Sequence, residues 1–296
     1  MRHRGGVCER RANGGKRELR RAILLAPRRW LRVHSPAMTT LKSRFCCALF
    51  WLVPFAPVAV EAQVTELPQT VAPGRLLVRM DGLKLSYGRE DAVGNTHNAL
   101  AVASTTVRAG LTQSVDLQVG FDFFLKESIT FRGARNAHSG LGDVSLRTKW
   151  TFWRDDKIGA AAAVLPYVKL PSSTAGVGTD AITGGIILPW AMQTGAGVTA
   201  GAMFQWDVVR NDARNGYDAR WYASGFARRD LTKVFSVYGE TTLEASSTGL
   251  SNWAGTIGGG VLWRLTKSLQ FDYELQRGLN DRASAWAHIL RLNWEW

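Results

Sequence analysis

The stretch VDLQVGFDFF at residues 115–124 decides the fold, because apolar and polar side chains alternate along it. One face of an extended chain would carry Val115, Leu117, Val119, Phe121 and Phe123, and the opposite face Asp116, Gln118, Gly120 and Asp122. A period of two is typical of a β-strand with one apolar and one polar face. The decapeptide therefore predicts a strand that separates two different environments.

The same alternation recurs along the whole chain after residue 75, broken by turn residues. It predicts twelve strands, at 76–87, 99–110, 115–124, 143–153, 158–169, 181–192, 196–208, 219–230, 234–245, 253–265, 268–277 and 286–296. Bacterial single-chain membrane barrels have an even number of strands, and the predicted number is even. Soluble β-sandwiches also alternate, so this pattern alone leaves a sandwich open as an alternative.

The lengths of the connections favour the barrel. Short connections, such as 154–157 and 231–233, alternate with longer ones, such as 125–142 and 170–180. Short turns at one end and long loops at the other are typical of outer-membrane barrels, whose short turns are periplasmic. Hydrocarbon cannot satisfy free backbone groups, so a sheet that spans a membrane has to close on itself.

Tryptophan positions separate the barrel from the sandwich. After residue 62 the tryptophans lie near predicted strand ends: Trp150, Trp153, Trp190, Trp263, Trp294 and Trp296 towards the short turns, and Trp206, Trp221, Trp253 and Trp286 towards the long loops. A membrane barrel carries two such girdles where its wall meets the headgroups. The prediction is an all-β fold, a closed antiparallel transmembrane β-barrel of about 12 strands over 76–296, preceded by a periplasmic segment at 63–75.

Charge is concentrated at the amino terminus. The formal net charge is +13, of which residues 1–37 contribute +9, residues 38–62 contribute +1 and the remainder +3. A nearly neutral body argues against a nucleic-acid partner. The three cysteines, Cys8, Cys46 and Cys47, all precede residue 63, so the body has no disulfide framework and no thiolate metal site.

Residues 38–62, MTTLKSRFCCALFWLVPFAPVAVEA, have the pattern of a secretory signal peptide. A short basic region precedes an uncharged apolar stretch, and Val60-Glu61-Ala62 offers small residues for cleavage before Gln63. A helical anchor is the alternative, but Pro54 and Pro57 interrupt the stretch. The basic extension at 1–37 is interpreted as a mis-called start upstream of Met38, with a genuine basic arm as the alternative.

Charged residues on the polar strand faces are the candidates for lining the lumen. They are Asp116, Asp122, Asp143, Arg147, Lys149, Glu240, Glu244, Asp272, Glu274 and Arg291. They would either select solutes by charge or cross-link the interior through ion pairs. Asp143 has a third option, since the glycines of its Gly-Leu-Gly-Asp sequence permit a tight strand entry.

Enzymatic chemistry has little support in the sequence. The body contains His97, His138 and His288, and none of them belongs to a serine-hydrolase, zinc-protease or phosphate-binding motif. The acidic pairs Asp155-Asp156 and Glu90-Asp91 could bind a divalent ion, although acids in turns are usually just hydrated. No catalytic residue, metal or cofactor is predicted.

Two short motifs resemble one outer-membrane family, and a third resembles a signal of outer-membrane barrels in general. SGLGDVSLRTKW at 139–150 and QRGLND at 276–281 are similar to segments of the family labelled "putative MetA-pathway of phenol degradation". The final HILRLNWEW at 288–296 resembles the carboxy-terminal signal of such barrels, although Phe is the more usual last residue. The resemblance implies a bacterial outer-membrane barrel that moves small molecules, aromatic ones among them.

The predicted function is therefore an outer-membrane channel or transporter for passive uptake of small solutes, aromatic or hydrophobic ones included. An outer-membrane lipid hydrolase and a structural or adhesive barrel that acts through its outer loops remain alternatives. The expected partners are outer-membrane lipid, a small-molecule solute, and the barrel-assembly machinery, which would engage the C-terminal strand.

Overall fold

A computed structural model describes residues 64–90, 95–174, 177–194, 197–211, 213–247 and 249–296, without the side chains of 249–252. The basic extension at 1–37 and the signal peptide at 38–62 lie outside these residues. The described chain forms thirteen strands: β1 (Leu76–Tyr87), β2 (Thr96–Gly110), β3 (Val115–Phe131), β4 (Ala134–Gly140), β5 (Val144–Asp155), β6 (Ala160–Leu170), β7 (Thr183–Thr194), β8 (Val198–Arg210), β9 (Tyr217–Asp230), β10 (Phe235–Ser246), β11 (Gly249–Arg264), β12 (Leu269–Gly278) and β13 (Trp286–Glu295).

Twelve of these strands close into one antiparallel barrel, which confirms the predicted fold. Successive barrel strands pair with each other, and β1 pairs with β13 to complete the cylinder, with Leu77 opposite Glu295. Closure leaves the twelve barrel strands with a partner on each side. The backbone N–H and C=O groups of the wall can therefore hydrogen-bond within the barrel and need no partners from the surrounding medium.

The thirteenth strand, β4, is an element that the sequence does not predict. It pairs with Leu125–Phe131 of β3, whereas β5 pairs with Val115–Gly120 of the same strand. Arg132 and Gly133 join β3 to β4 with φ angles of +49° and +78°. Positive φ at both central residues is the signature of a tight hairpin turn. The predicted long connection at 125–142 is thus largely a hairpin that extends the barrel beyond its wall.

Side chains are distributed the opposite way from a soluble protein. Large apolar residues such as Leu117, Leu146 and Phe152 are exposed on the outside of the barrel, each by 44–53%. Charged residues such as Lys149 and Asp272 are completely buried inside it. The exposed apolar wall is a surface that lipid, and not water, would cover. No helix within the described ranges is long and apolar enough to cross a membrane.

The ten tryptophans after residue 62 lie on the outward face, in two groups at the two ends of the wall. Nine of them are 37–52% exposed, and Trp221 is half-buried directly opposite Trp206 on the neighbouring strand. The pair Trp294 and Trp296, with ring centroids 4.7 Å apart, lies at the end with the short turns. Indole rings at both ends fit a wall whose rims lie at the level of the headgroups.

Candidate functional site

The segment before β1 enters the barrel. At its inner end, the backbone N–H groups of Val64 and Thr65 donate to the carboxylate of Glu240, at 2.9 and 2.6 Å. At its outer end, the N–H of Val71 donates to Oδ2 of Asp116, at 3.1 Å. We call residues 64–71 the interior segment. The sequence places this stretch in the periplasm. The structure places it in the lumen, where its backbone groups find charged side chains as partners.

Two basic side chains hold the middle of the interior segment. Nζ of Lys149 donates to the carbonyl oxygens of Leu67 and Gln69, at 2.6 and 3.2 Å, and lies 2.5 Å from Oε1 of Glu66. Nη2 of Arg108 donates to the carbonyl of Gln69 at 3.0 Å. Because an unpaired backbone carbonyl is costly to bury, these contacts let an extended peptide stay inside the barrel without a neighbouring strand.

A glycine lets the chain turn from the lumen into the wall. The N–H of Gly110, the last residue of β2, donates to the carbonyl of Arg75, and its carbonyl accepts from the N–H of Gly74, both at 3.0 Å. A Cβ on Gly110 would lie 2.0 Å from the carbonyl oxygen of Ala72. Any larger residue at this rim position would therefore displace the segment that leads into β1.

A second charged cluster lies on the inner face of the barrel wall. The guanidinium of Arg291 contacts Asp272, Glu274 and Asp81, at 2.7, 2.8 and 3.1 Å, and only 1% of the residue is exposed. The hydroxyl of Tyr238 donates to Oδ1 of Asp272 at 2.9 Å. Three carboxylates around one cation fix the side chains of β1, β12 and β13 to one another. This arrangement is a cross-link of the interior.

Two cavities lie on either side of the interior segment. The rim cavity, of about 450 Å³, is lined at the short-turn end by residues that include Gln69, Arg108, Arg154 and Glu295. The central cavity, of about 380 Å³, is lined by residues that include Val64, Glu66, Arg147 and Tyr167. The interior segment contributes to both walls, so it stands between the two spaces.

The ten predicted lumen residues fall into four groups. Asp116, Lys149 and Glu240 hold the interior segment; Asp272, Glu274 and Arg291 form the cluster in the wall; Asp122, Asp143 and Arg147 line the central cavity; and Glu244 pairs with Arg220, at 3.3 Å, towards the long loops. Arg108 contacts the interior segment and Asp81 contacts Arg291, and the sequence analysis missed both residues. Their strands, β2 and β1, carry apolar residues on both faces, which hides the alternation.

Asp143 fixes the long connection after β6. Its carboxylate accepts from the N–H of Ser173 at 3.0 Å and from the N–H and hydroxyl of Thr179 at 2.6 and 2.8 Å, and it lies 3.5 Å from Nζ of Lys169. Burial of this carboxyl, in the connection between β4 and β5, raises its pKa, but these hydrogen bonds and the lysine charge hold the pKa below the usual value. We call this set of contacts the Asp143 latch.

Among the described residues, the three histidines lie apart from one another and do not form a catalytic arrangement. Nδ1 of His288 lies 2.9 Å from the Tyr273 hydroxyl on the outward face. His138 lies on β4 opposite Glu127, and His97 on β2 opposite Ile129. Within the part of the chain that the structure describes, no group of three or more potential ligands could hold a metal ion.

Comparison with known proteins places the chain in a family. A model of the family described as "Putative MetA-pathway of phenol degradation" matches residues 61–296. The chain belongs to this family. The match covers the interior segment as well as the barrel, so both are parts of one family unit. No curated protein sequence matches the chain.

Solved structures resemble this family member to different degrees. An outer-membrane channel from Pseudomonas putida F1 superposes with a TM-score of 0.59 at 13% identity, over 77% of this chain and 98% of that one. The translocator domain of the autotransporter NalP from Neisseria meningitidis gives 0.47 at 10% identity, over 76% and 89%. The β domain of the Bordetella autotransporter BrkA gives 0.47 at 14% identity, over 76% and 100%. At such identities the first likeness shows the fold.

The fold and the outward surface together define the location. The barrel is closed, its outer wall is apolar, and tryptophans mark both rims. A structure of this kind needs hydrocarbon around its wall and water at its ends. This member of the family is a bacterial outer-membrane β-barrel with membrane lipid around it.

Proposed function

We propose that the protein is a channel for the passive uptake of small solutes, and that the interior segment restricts the passage. The observation that carries the proposal is the pair of cavities inside one closed wall, with residues 64–71 between them. A polar interior lowers the free energy that a hydrated solute needs to cross the bilayer. Since no step requires energy coupling, a concentration gradient would drive the flow.

The central cavity indicates which solutes would pass. Charged and polar residues line most of it, while Tyr167 and Ile187 add aromatic and aliphatic surface. Such a lining favours small molecules that carry a polar group on an aromatic or hydrophobic body. The predicted solute class of small, partly aromatic molecules is compatible with this lining.

Solute uptake into proteoliposomes tests the proposal. Vesicles that contain the folded protein should swell in small neutral solutes faster than empty vesicles. Ser145 lines the central cavity and is 7% exposed, so Ser145→Trp should slow the swelling several-fold by filling that space. Leu117→Trp places the same ring on the lipid-facing surface and serves as the matched control. Equal rates for protein-containing and empty vesicles would refute the channel.

The two alternative functions have less support. A lipid hydrolase would need an activated nucleophile, and His288 contacts a tyrosine hydroxyl in place of a serine. An adhesive barrel would act through its long loops, and no contact among the described residues favours that role.

We also propose that the barrel-assembly machinery recognises β13. The end of this strand and the residue after it carry the outward-facing Trp294 and Trp296, beside the seam with β1. Trp296→Ser should lower the amount of assembled barrel in cells but leave detergent refolding of the purified chain intact. Equal losses in both settings would indicate a role in stability alone.

A further inference from the structure

We infer that the central cavity is a binding site for a small organic monocarboxylate, with Arg147 as its anchor. The inference rests on the proposed channel function and names the class of solute that would bind on its way through.

Arg147 lines the central cavity and differs from the other cations there. Its guanidinium lies over the ring of Tyr167, 5.6 Å from the centroid. Its Nε is buried without a hydrogen-bond partner, and no carboxylate among the described residues pairs with it. The other cations of this cavity each have an acid nearby: Arg108 with Asp116 at 3.1 Å, Lys169 with Asp143 at 3.5 Å and Arg79 with Asp81 at 3.9 Å.

The support beneath Arg147 is rigid. The hydroxyl of Tyr167 donates to Oδ1 of Asp207 at 2.6 Å and accepts from Nε2 of Gln205 at 3.3 Å, which fixes the ring. With its face on that ring, the guanidinium can present an edge to the cavity. Such an edge offers two parallel N–H donors, the geometry that a carboxylate accepts best. A cation inside a partly desolvated cavity gains most from an anion that enters it.

The cavity also limits the size and charge of the ligand. Its volume of about 380 Å³ suits a small molecule. Ile187, which is 4% exposed, and Val64 add apolar surface for the body of that molecule. Asp122 also lines the cavity. On β3 it lies four residues after Gln118, which pairs with Arg147 of β5. That is about 13 Å along the strand.

This spacing favours one carboxylate over two. No cation among the described residues pairs with Asp122, so its charge would repel a second carboxylate at that end of the cavity. Because Asp122 lies well along the strand from Arg147, it is also too far away to replace the missing counter-ion directly. A ligand with a single carboxylate on a small apolar body therefore suits both ends of the cavity, because its carboxylate can pair with Arg147 while its uncharged body lies towards Asp122.

Calorimetric titration of the full chain, folded in detergent, tests the site with three probes. Benzoate supplies one carboxylate, benzyl alcohol the same body without charge, and phthalate a second carboxylate. We expect benzoate to bind, benzyl alcohol to bind much more weakly, and phthalate to gain affinity only in Asp122→Asn. Arg147→Met should weaken benzoate binding by roughly tenfold or more. A tenfold loss of affinity corresponds to only about 1.4 kcal/mol of binding free energy. The benzoate affinity of Arg147→Lys should lie between those of the wild type and Arg147→Met, because lysine keeps the charge but cannot donate two parallel hydrogen bonds from a planar group.

Arg154→Met is the control, because Arg154 lines the rim cavity and its loss removes the same charge elsewhere. Equal benzoate affinity in the wild type and Arg147→Met, or equal binding of benzyl alcohol, would overturn the site. Swelling in neutral solutes separates the two proposals. If vesicles swell but benzoate does not bind, the channel stands and the carboxylate site fails. If benzoate binds at Arg147 in a protein that passes no solute, the site stands and the channel fails.

Discussion

Replacement of Lys149 by methionine tests how firmly the interior segment is held. The Lys149 ammonium is fully buried and contacts two backbone carbonyls and the Glu66 carboxylate, at 2.6, 3.2 and 2.5 Å. Methionine fills nearly the same space but offers no donor. The substitution therefore removes three contacts of the segment and leaves the barrel wall in place.

The size of the effect follows from those contacts. A hydrogen bond to a charged group contributes about 1.5–3 kcal/mol, and a buried carboxylate that loses its cation costs about 3–5 kcal/mol. Arg108 remains 3.6 Å from Glu66 and would keep part of the charge compensated. We therefore expect Lys149→Met to weaken docking of the segment by about 3 kcal/mol, which is roughly a 100-fold shift towards the undocked state.

Single-channel recording in planar bilayers measures this shift. The wild type should show low conductance with rare openings, and Lys149→Met should show openings that are far more frequent. Glu66→Gln in the same background should add little, because its main partner is already gone. An unchanged opening frequency in a Lys149→Met barrel that melts like the wild type would refute the idea that this ammonium holds the segment.

Four further substitutions probe the barrel and its connections. Arg291→Met leaves two buried carboxylates, Asp272 and Glu274, and the partly exposed Asp81 without their shared cation, and it should destabilise the barrel by about 3–5 kcal/mol in urea unfolding. Leu146→Arg on the lipid face should cost about 2–4 kcal/mol in lipid vesicles, and Arg147→Leu on the inner face much less; equal costs would contradict the face assignment. The pKa of Asp143 is lowered, so the Asp143 latch should hold above the unfolded value of about 3.9 and loosen as the pH falls through the folded pKa. Limited proteolysis of the connection should show this loss in the wild type, whereas Asp143→Asn should be cleaved at an equal rate across that range.

The membrane-spanning part of the fold could be predicted because each strand separates lipid from the interior. On β12, for example, Asp272 and Glu274 are completely buried, whereas Phe271 and Tyr273 on the opposite face are not. The bilayer imposes this contrast residue by residue, and so the period of two survives in the sequence. The start of β1 at Leu76 agrees with the predicted position for the same reason.

Elements outside the bilayer do not show this alternation of apolar and polar residues in their sequence. The outer part of β3 and β4 lies beyond the wall, and its side chains, such as Lys126 and His138, are exposed on either face. The interior segment is equally hard to predict, because its place depends on Lys149 and Glu240, which lie far away in the sequence. Arg147 could be assigned to the interior from alternation, but its lack of a carboxylate partner appears only once the strands are assembled.

The seam of the barrel has a consequence for the order of folding. The N–H of Leu76 donates to the carbonyl of Trp296, and the N–H of Trp296 donates back, both at 3.1 Å, so the first strand closes on the last residue. Closure of so long a loop carries a large entropic cost and is slow. Until it happens, β1 and β13 present open edges to other chains. Because the interior segment directly precedes β1, it must either be enclosed as the seam forms or thread in afterwards through the rim. The rate at which β1 pairs with β13 would then decide whether the lumen of a newly assembled barrel contains the interior segment or is empty.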